Sequence, residues 1–285
     1  MKTFIYTSIA LCAFAGNSIL CRMALADGQI DAWSFTSIRL FSGIVILFLI
    51  VSISNAETRS KSKGSWRASL LLFLYALSFS LAYISLETGV GALILFTAVQ
   101  ITMVLAGIYA GNKLLHIEWL GLCIAFFGFV YLIFPSLSTP SLFGFILMAF
   151  SGIAWGAYSL AGKGSQDPLS DTTYNFIRTL PCVAILLIGT VRYSEFTTVG
   201  VLLAVASGAI TSGIGYTVWY MALRGLSTTQ AAVVQLFVPV LAVLGGVMFV
   251  SENLSLRLLF SSVLILGGIS VVILGRKYVQ TRALS

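Results

Sequence analysis

The chain is short of charge. Only 9% of its 285 residues are Asp, Glu, Lys or Arg, while 59% are hydrophobic, and the mean hydropathy is +1.02. A soluble domain covers itself with roughly 25% charged residues, so a water-exposed globular fold is excluded and lipid must cover most of this surface. Histidine is scarcer still: His116 alone gives little basis for a histidine metal site or proton relay. The four cysteines (Cys12, Cys21, Cys123, Cys182) lie in apolar runs without paired spacing and read as small packing residues; a disulfide framework or metal site is not expected. A phosphate-binding glycine loop is missing, which leaves ATP drive unsupported. None of the nine acidic residues falls at mid-membrane; Glu87 and Glu252 sit at helix ends and the others in loops. A proton antiporter typically exchanges at an intramembrane carboxylate, so the shortage favours facilitated diffusion, with proton or other ion coupling left open. For a membrane-embedded enzyme the nearest catalytic pairing is His116 with Glu118. That is too little, so the expectation is no enzyme, no metal and no cofactor.

What the chain has in plenty is apolar runs of roughly 20 residues, the length that crosses a bilayer. Ten are expected, near 4–25, 32–53, 68–88, 91–111, 117–135, 142–162, 172–191, 198–222, 228–250 and 256–275. The first resembles a signal peptide superficially, but its length and Arg22 favour a retained helix. With a cytoplasmic N-terminus, 11 of the 16 Lys and Arg fall on cytoplasmic segments, 3 outside, and 2 (Arg39, Arg178) within spans. The positive-inside rule then places both termini in the cytoplasm, at the cytoplasmic (inner) membrane. The net charge of +7 is this asymmetry; it implies no nucleic-acid partner.

The second half also repeats the first. Leu11–Gly16 recurs as Leu147–Gly152, Ile38-Arg39 as Ile177-Arg178, Gly111–Leu114 as Ser251–Leu254, and Gly128 as Gly268. The offsets are 136, 139, 140 and 140, collinear apart from what short loops absorb. Five crossings per half make the second half enter from the opposite face. The expected fold is therefore an all-α polytopic membrane protein: an inverted repeat of two five-helix halves, 1–135 and 136–285, with a central site between them.

Particular residues sharpen this. Ala154-Trp155-Gly156-Ala157-Tyr158-Ser159-Leu160-Ala161-Gly162-Lys163 looks like the Trp-Gly signature at the head of an EamA repeat. Trp219–Leu223, Pro239 and Ser251-Glu252-Asn253-Leu254 look like the later part of that repeat, with its closing proline and Gly-Glu-x-Leu segment. The chain resembles the drug/metabolite transporter superfamily, EamA type. The resemblance implies a ten-helix carrier of small metabolites whose pathway runs between the repeats. The first half departs from the pattern, with Asn112 at the acidic position and no tryptophan before Gly16, so a symmetric pair of motif glutamates is not expected.

Lipid offers no partner to a polar side chain, so polar residues at mid-depth mark the bundle interior. The substrate-pathway candidates are Asn17, Thr97, Gln100, Trp155, Tyr158, Ser159, Tyr216, Trp219 and Gln235. Ser151, Trp155, Tyr158 and Ser159 share one helical face; Thr211, Ser212, Tyr216, Trp219 and Tyr220 make a second. Against this, Ser and Thr in membrane helices often only bond the preceding turn, and Trp219 and Tyr220 also suit an interfacial belt. Gln100 and Gln235 lie in corresponding spans, each with two donors and an acceptor to place. Arg39 and Arg178, in matching places, either grip a substrate anion or serve structure in both halves. Pro239 bends its span and is the hinge or gate candidate. The expected activity is export or equilibration of small amphipathic metabolites (amino acids, analogues or amines) by alternating access, with a small-molecule substrate and the lipid bilayer as partners. The alternative is an organic-anion or sugar-phosphate exchanger anchored by Arg39 and Arg178.

Overall fold

The computed structural model describes residues 2–53, 63–109, 115–133, 141–190, 195–226 and 228–282. The expected boundary at 135/136 and the segment Gly111–Leu114 lie outside them. Among the described residues the secondary structure is helical, with no named strand and one isolated bridge, Ile30 to Phe196. The first six helices are α1 (Lys2–Ala26), α2 (Ala32–Ile53), α3 (Trp66–Tyr83), α4 (Thr88–Tyr109), α5 (His116–Ile133) and α6 (Leu142–Gly162). A seventh rod is broken into α7 (Pro168–Ile177) and α8 (Leu180–Thr190). The eighth joins α9 (Thr198–Ala206) to α10 (Gly215–Leu223) through a π-helical stretch, Ser207–Ile214. The ninth is α11 (Thr228–Gln235) and α12 (Phe237–Phe249), and the tenth is α13 (Leu256–Arg282). Among the described residues seven helical runs are long and apolar enough to span a membrane.

Local chemistry explains the ends. Ser65, Ser141, Asp167 and Thr197 each accept a backbone N–H three residues on, capping α3, α6, α7 and α9, and Asp31 takes the N–H groups of Trp33 and Ser34 at α2. Both breaks precede a proline. Pro239 has no N–H for the Gln235 carbonyl and Pro181 none for Ile177, so each rod parts two or three residues earlier. The expected third span, 68–88, ends instead at Tyr83, because Ser85 and Leu86 turn back on the Ala82 carbonyl and α4 already begins at Thr88. The expected seventh span begins at Pro168 rather than 172, since Asp167 and Pro168 supply a start that hydropathy does not register.

Large apolar side chains face outward along the rods, including Phe48, Phe127, Ile188, Leu202 and Val263. In water such a surface would aggregate; lipid is its solvent. This is a multi-pass membrane protein. Inside, α6 packs on α3 and α4, while α1 packs on the eighth and ninth rods, and α5 pairs with α13. The α5–α13 seam is backbone on backbone: a Cβ at Gly268 would lie 2.6 Å from the Gly121 carbonyl.

Candidate functional site

The centre of the bundle is an aromatic cluster built from several rods. Trp155 of α6 lies with its ring centroid 4.6 Å from Tyr216 of α10, 5.0 Å from Tyr75 of α3 and 5.2 Å from Phe14 of α1. Phe14 meets Trp219 edge-on at 5.5 Å, and Tyr158 stands 5.5 Å from Trp155. All are buried, and mutual contacts of this kind add to plain area burial. Small residues make the approach possible. A Cβ at Gly152 would lie 2.3 Å from the Leu95 carbonyl, which draws α6 onto α4 and sets Trp155 in the middle. A Cβ at Gly208 would collide with the Arg39 carbonyl, so the π-helical stretch lies directly on α2 and brings Ser212 and Tyr216 to the Arg39 side chain. Such wide turns recur at functional sites.

Around the rings runs a polar network. Asn17 donates to the Tyr75 hydroxyl at 3.1 Å and accepts from Ser207 and Thr211 at 2.7 and 3.2 Å. The Trp155 indole donates to the Gln235 amide oxygen at 3.4 Å, and the Gln235 nitrogen donates to the Ala231 carbonyl. Gln235 is the last residue of α11 and Pro239 the third of α12, so the bend abuts the cluster. Arg39, 1% exposed, donates to Ser212 at 3.0 Å, Tyr75 at 3.1 Å and Tyr216 at 2.7 Å. The buried Trp219 indole nitrogen, Tyr158 hydroxyl and Ser159 hydroxyl have no hydrogen-bond partner.

Of the sequence candidates, Asn17, Trp155, Tyr158, Tyr216, Trp219 and Gln235 therefore meet in or beside one cluster. Ser159 is buried on α6, and Gln100 is buried on α4. Thr97 donates to the Leu93 carbonyl one turn back, the plain helical role. Trp219 and Tyr220 are fully buried, which corrects a belt placement; the tight contact of Gly162 with the Tyr220 ring holds them inward. Arg39 and Arg178, matched in sequence, have unlike surroundings. Arg178 caps the end of α7, donates to the Lys63 carbonyl and lies over Trp66 and Tyr174. Asp171, Asn175 and Arg178 share a face of α7 that binds residues 63–65, and this draws Arg178 away from the centre.

Tyr75, Phe14 and Ser207 were not among the expected residues. Tyr75 obeys the same rule that found Asn17, a polar atom deep in an apolar span, and was findable; Phe14 carries no such mark. A second unforeseen group closes one end. Glu252 accepts from the Thr88 amide at 2.8 Å, the Thr88 hydroxyl at 3.0 Å and Arg22 at 3.3 Å. Arg22 also donates to the carbonyls of Tyr83 and Ile84. Glu87, beside this group and outside the spanning helices, has its carboxyl pushed up by partial burial and by the Glu252 charge. Among the described residues no three His, Cys, Asp or Glu gather as a metal would need.

Fold and site together define an all-helical, multi-pass membrane bundle with a buried aromatic–amide centre. A model of the EamA-like transporter family matches residues 142–274. An uncharacterized protein of Pseudomonas aeruginosa is 44% identical over 96% of both chains. The uncharacterized transporter YoaV of Bacillus subtilis is 22% identical, covering 82% of this chain and 85% of its own. An uncharacterized transporter of Archaeoglobus fulgidus is 25% identical over 70% of this chain and 73% of its own. A solved crystal structure, 18% identical, superposes with a TM-score of 0.62 over 94% of this chain and 97% of its own, a likeness of fold. The chain belongs to the EamA-like transporter family, within the drug/metabolite transporter superfamily.

Proposed function

We propose that this chain is a secondary transporter of the cytoplasmic membrane that exports or equilibrates small amphipathic metabolites (amino acids, their analogues or amines) by alternating access. The observation that carries the reading is the central cluster, to which α1 and α3 contribute Phe14, Asn17 and Tyr75, and α6 and α10 contribute Trp155 and Tyr216. A site divided between the segments 1–135 and 136–285 changes shape when one moves against the other. The reciprocal packing of α6 on α3 and α4, and of α1 on the eighth and ninth rods, supports an inverted repeat. Two polar closures support two gates. One joins Glu252 to Arg22 and Thr88, and the other joins Asp171 and Asn175 to the amides of Gly64 and Ser65. The charge asymmetry favours cytoplasmic termini, which puts the Glu252 closure outside. Chemistry on the substrate is not part of the reading.

The test is tracer flux in proteoliposomes with a mixed panel of amino acids, amines and organic anions, with and without a pH gradient. The expected result is flux of at least one member without the gradient, lost in Trp155→Ala. Panel-wide silence, or flux indifferent to Trp155, would sink the reading.

A further inference from the structure

We infer that Arg39 is the anchor of an anion-binding site at the centre of the bundle, and that the transported molecule presents a carboxylate there beside an apolar or aromatic body. This rests on the transport reading above and narrows its cargo to one chemical class.

The arginine differs from Arg22 and Arg178. Arg22 faces the Glu252 carboxylate and two backbone carbonyls, and Arg178 a backbone carbonyl. Those are the partners a structural guanidinium ordinarily takes. Arg39 is 1% exposed and, among the described residues, makes no ion pair and donates only to neutral hydroxyls, those of Ser212, Tyr75 and Tyr216. Its Nη1 is buried without any partner. A charge in the membrane interior without a counter-charge is strongly disfavoured, and such residues are kept where they meet a ligand or a relay.

The Tyr75 oxygen is already spent as an acceptor. The Tyr75 hydroxyl is approached by three donors: Arg39 Nη2, Asn17 Nδ2 and the Tyr216 hydroxyl at 3.0 Å. A phenol oxygen has two acceptor lone pairs. The Tyr75 oxygen therefore has no lone pair left for Nη1, which is left as a charged donor without an acceptor, and an anion would bring that acceptor. Two rings lie close to the guanidinium, Phe79 at 5.0 Å and Tyr75 at 5.3 Å, while Tyr75 and Tyr216 both touch Trp155. An anion at Nη1 thus lies one ring away from an aromatic surface suited to an apolar body. A single guanidinium suits a monoanion; a phosphate dianion would call for a second cation, and among the described residues no cation but Arg39 is bonded into this group. This separates the reading from a sugar-phosphate exchanger that uses both Arg39 and Arg178.

The placement also ties binding to movement. Ser212 and Tyr216 lie in the eighth rod, Arg39 and Tyr75 in the second and third. Separating those rods strips the fork of two of its three acceptors, and a bound carboxylate replaces them.

The test uses the full chain in lipid nanodiscs and in proteoliposomes, with three probes of one body: 3-phenylpropionate, 3-phenylpropionamide and phenethylamine. Binding is read by thermal shift and competition, and carriage by tracer flux. The expected result is that the carboxylate binds at least about 10-fold more tightly than the amide or the amine. Arg39→Gln should remove that preference. Arg39→Lys, which keeps the charge and guards against a misfolded Gln variant, should weaken the carboxylate roughly 10-fold and leave the amide unchanged. Amine binding equal to carboxylate binding, or a carboxylate preference that survives both variants, overturns the anion site. Phenethylamine flux that needs Trp155 but not Arg39 overturns it too, while leaving the transport reading in place. Arg39-dependent carboxylate binding without flux of any probe supports the site and counts against transport instead.

Discussion

The two ends of the bundle are closed in the same manner with different materials. At one end Glu252, beyond α12, takes the first amide of α4 and the Arg22 guanidinium. At the other, Asp171 and Asn175 of α7 take the amides of Gly64 and Ser65, just before α3. Each time an acceptor from the second half of the chain satisfies a helix start in the first, where N–H groups lack intrahelical partners. The Glu252 end includes an ion pair with Arg22. The Glu252 end adds an arginine of a third helix and a nearby second carboxylate, Glu87, so its strength depends on charge. The Asp171 end binds backbone amides, and a cavity of about 200 Å³ lies against it, lined by Gly64, Ser65, Asp171, Asn175 and Tyr220 among others. The two closures share no residue, so they can be weakened separately.

The largest effect should come from Glu252→Ala, which orphans the Thr88 amide and takes the counter-charge from Arg22. The expected loss is about 2 kcal/mol, read by thermal melting in detergent. Cys21, buried one residue from Arg22, should become labelled by a maleimide as that end opens. Asp171→Ala should cost about 1 kcal/mol and leave Cys21 protected; labelling of Cys21 in both variants would mean that the ends do not open separately. Ser251→Gly acts in the other direction. Ser251 has φ 57°, the left-handed region that glycine occupies freely, so the change should stabilise by about 1 kcal/mol and keep Cys21 closed.

The smallest effect concerns pH. Because the folded chain raises the Glu87 carboxyl above its ordinary value, the native state holds that proton more tightly than the unfolded chain. The contribution is therefore most favourable when Glu87 is protonated, and it is lost as pH rises from the ordinary carboxylate range through the raised one. Glu87→Gln should flatten that portion of the melting curve, measured from about pH 4 to pH 7. An unchanged slope would separate Glu87 from the Glu252 end.

Much of the fold was legible from hydropathy because lipid penalises each unpaired backbone group, leaving helices as the solution for apolar runs of this length. The same penalty made Asn17, Trp155 and Gln235 legible as interior residues. It could not reveal the start of α7 at Pro168, where capping by Asp167 acts in a polar stretch. Nor could it distinguish Arg39 from Arg178. Their sequence neighbourhoods match, and what separates them is that α7 turns its Asp171–Asn175–Arg178 face to residues 63–65 while α2 lies against the π-helical stretch.

By itself, then, the sequence determined the solvent, the all-helical membrane fold, the family and the residue types lining the interior, since these follow from composition and period along one chain. Only the tertiary structure decided which of those residues meet. Arg39 joins Ser212 across 173 positions and Glu252 joins Thr88 across 164. Contacts at such separations depend on the close approach of helix backbones at glycines, which short-range pattern does not encode.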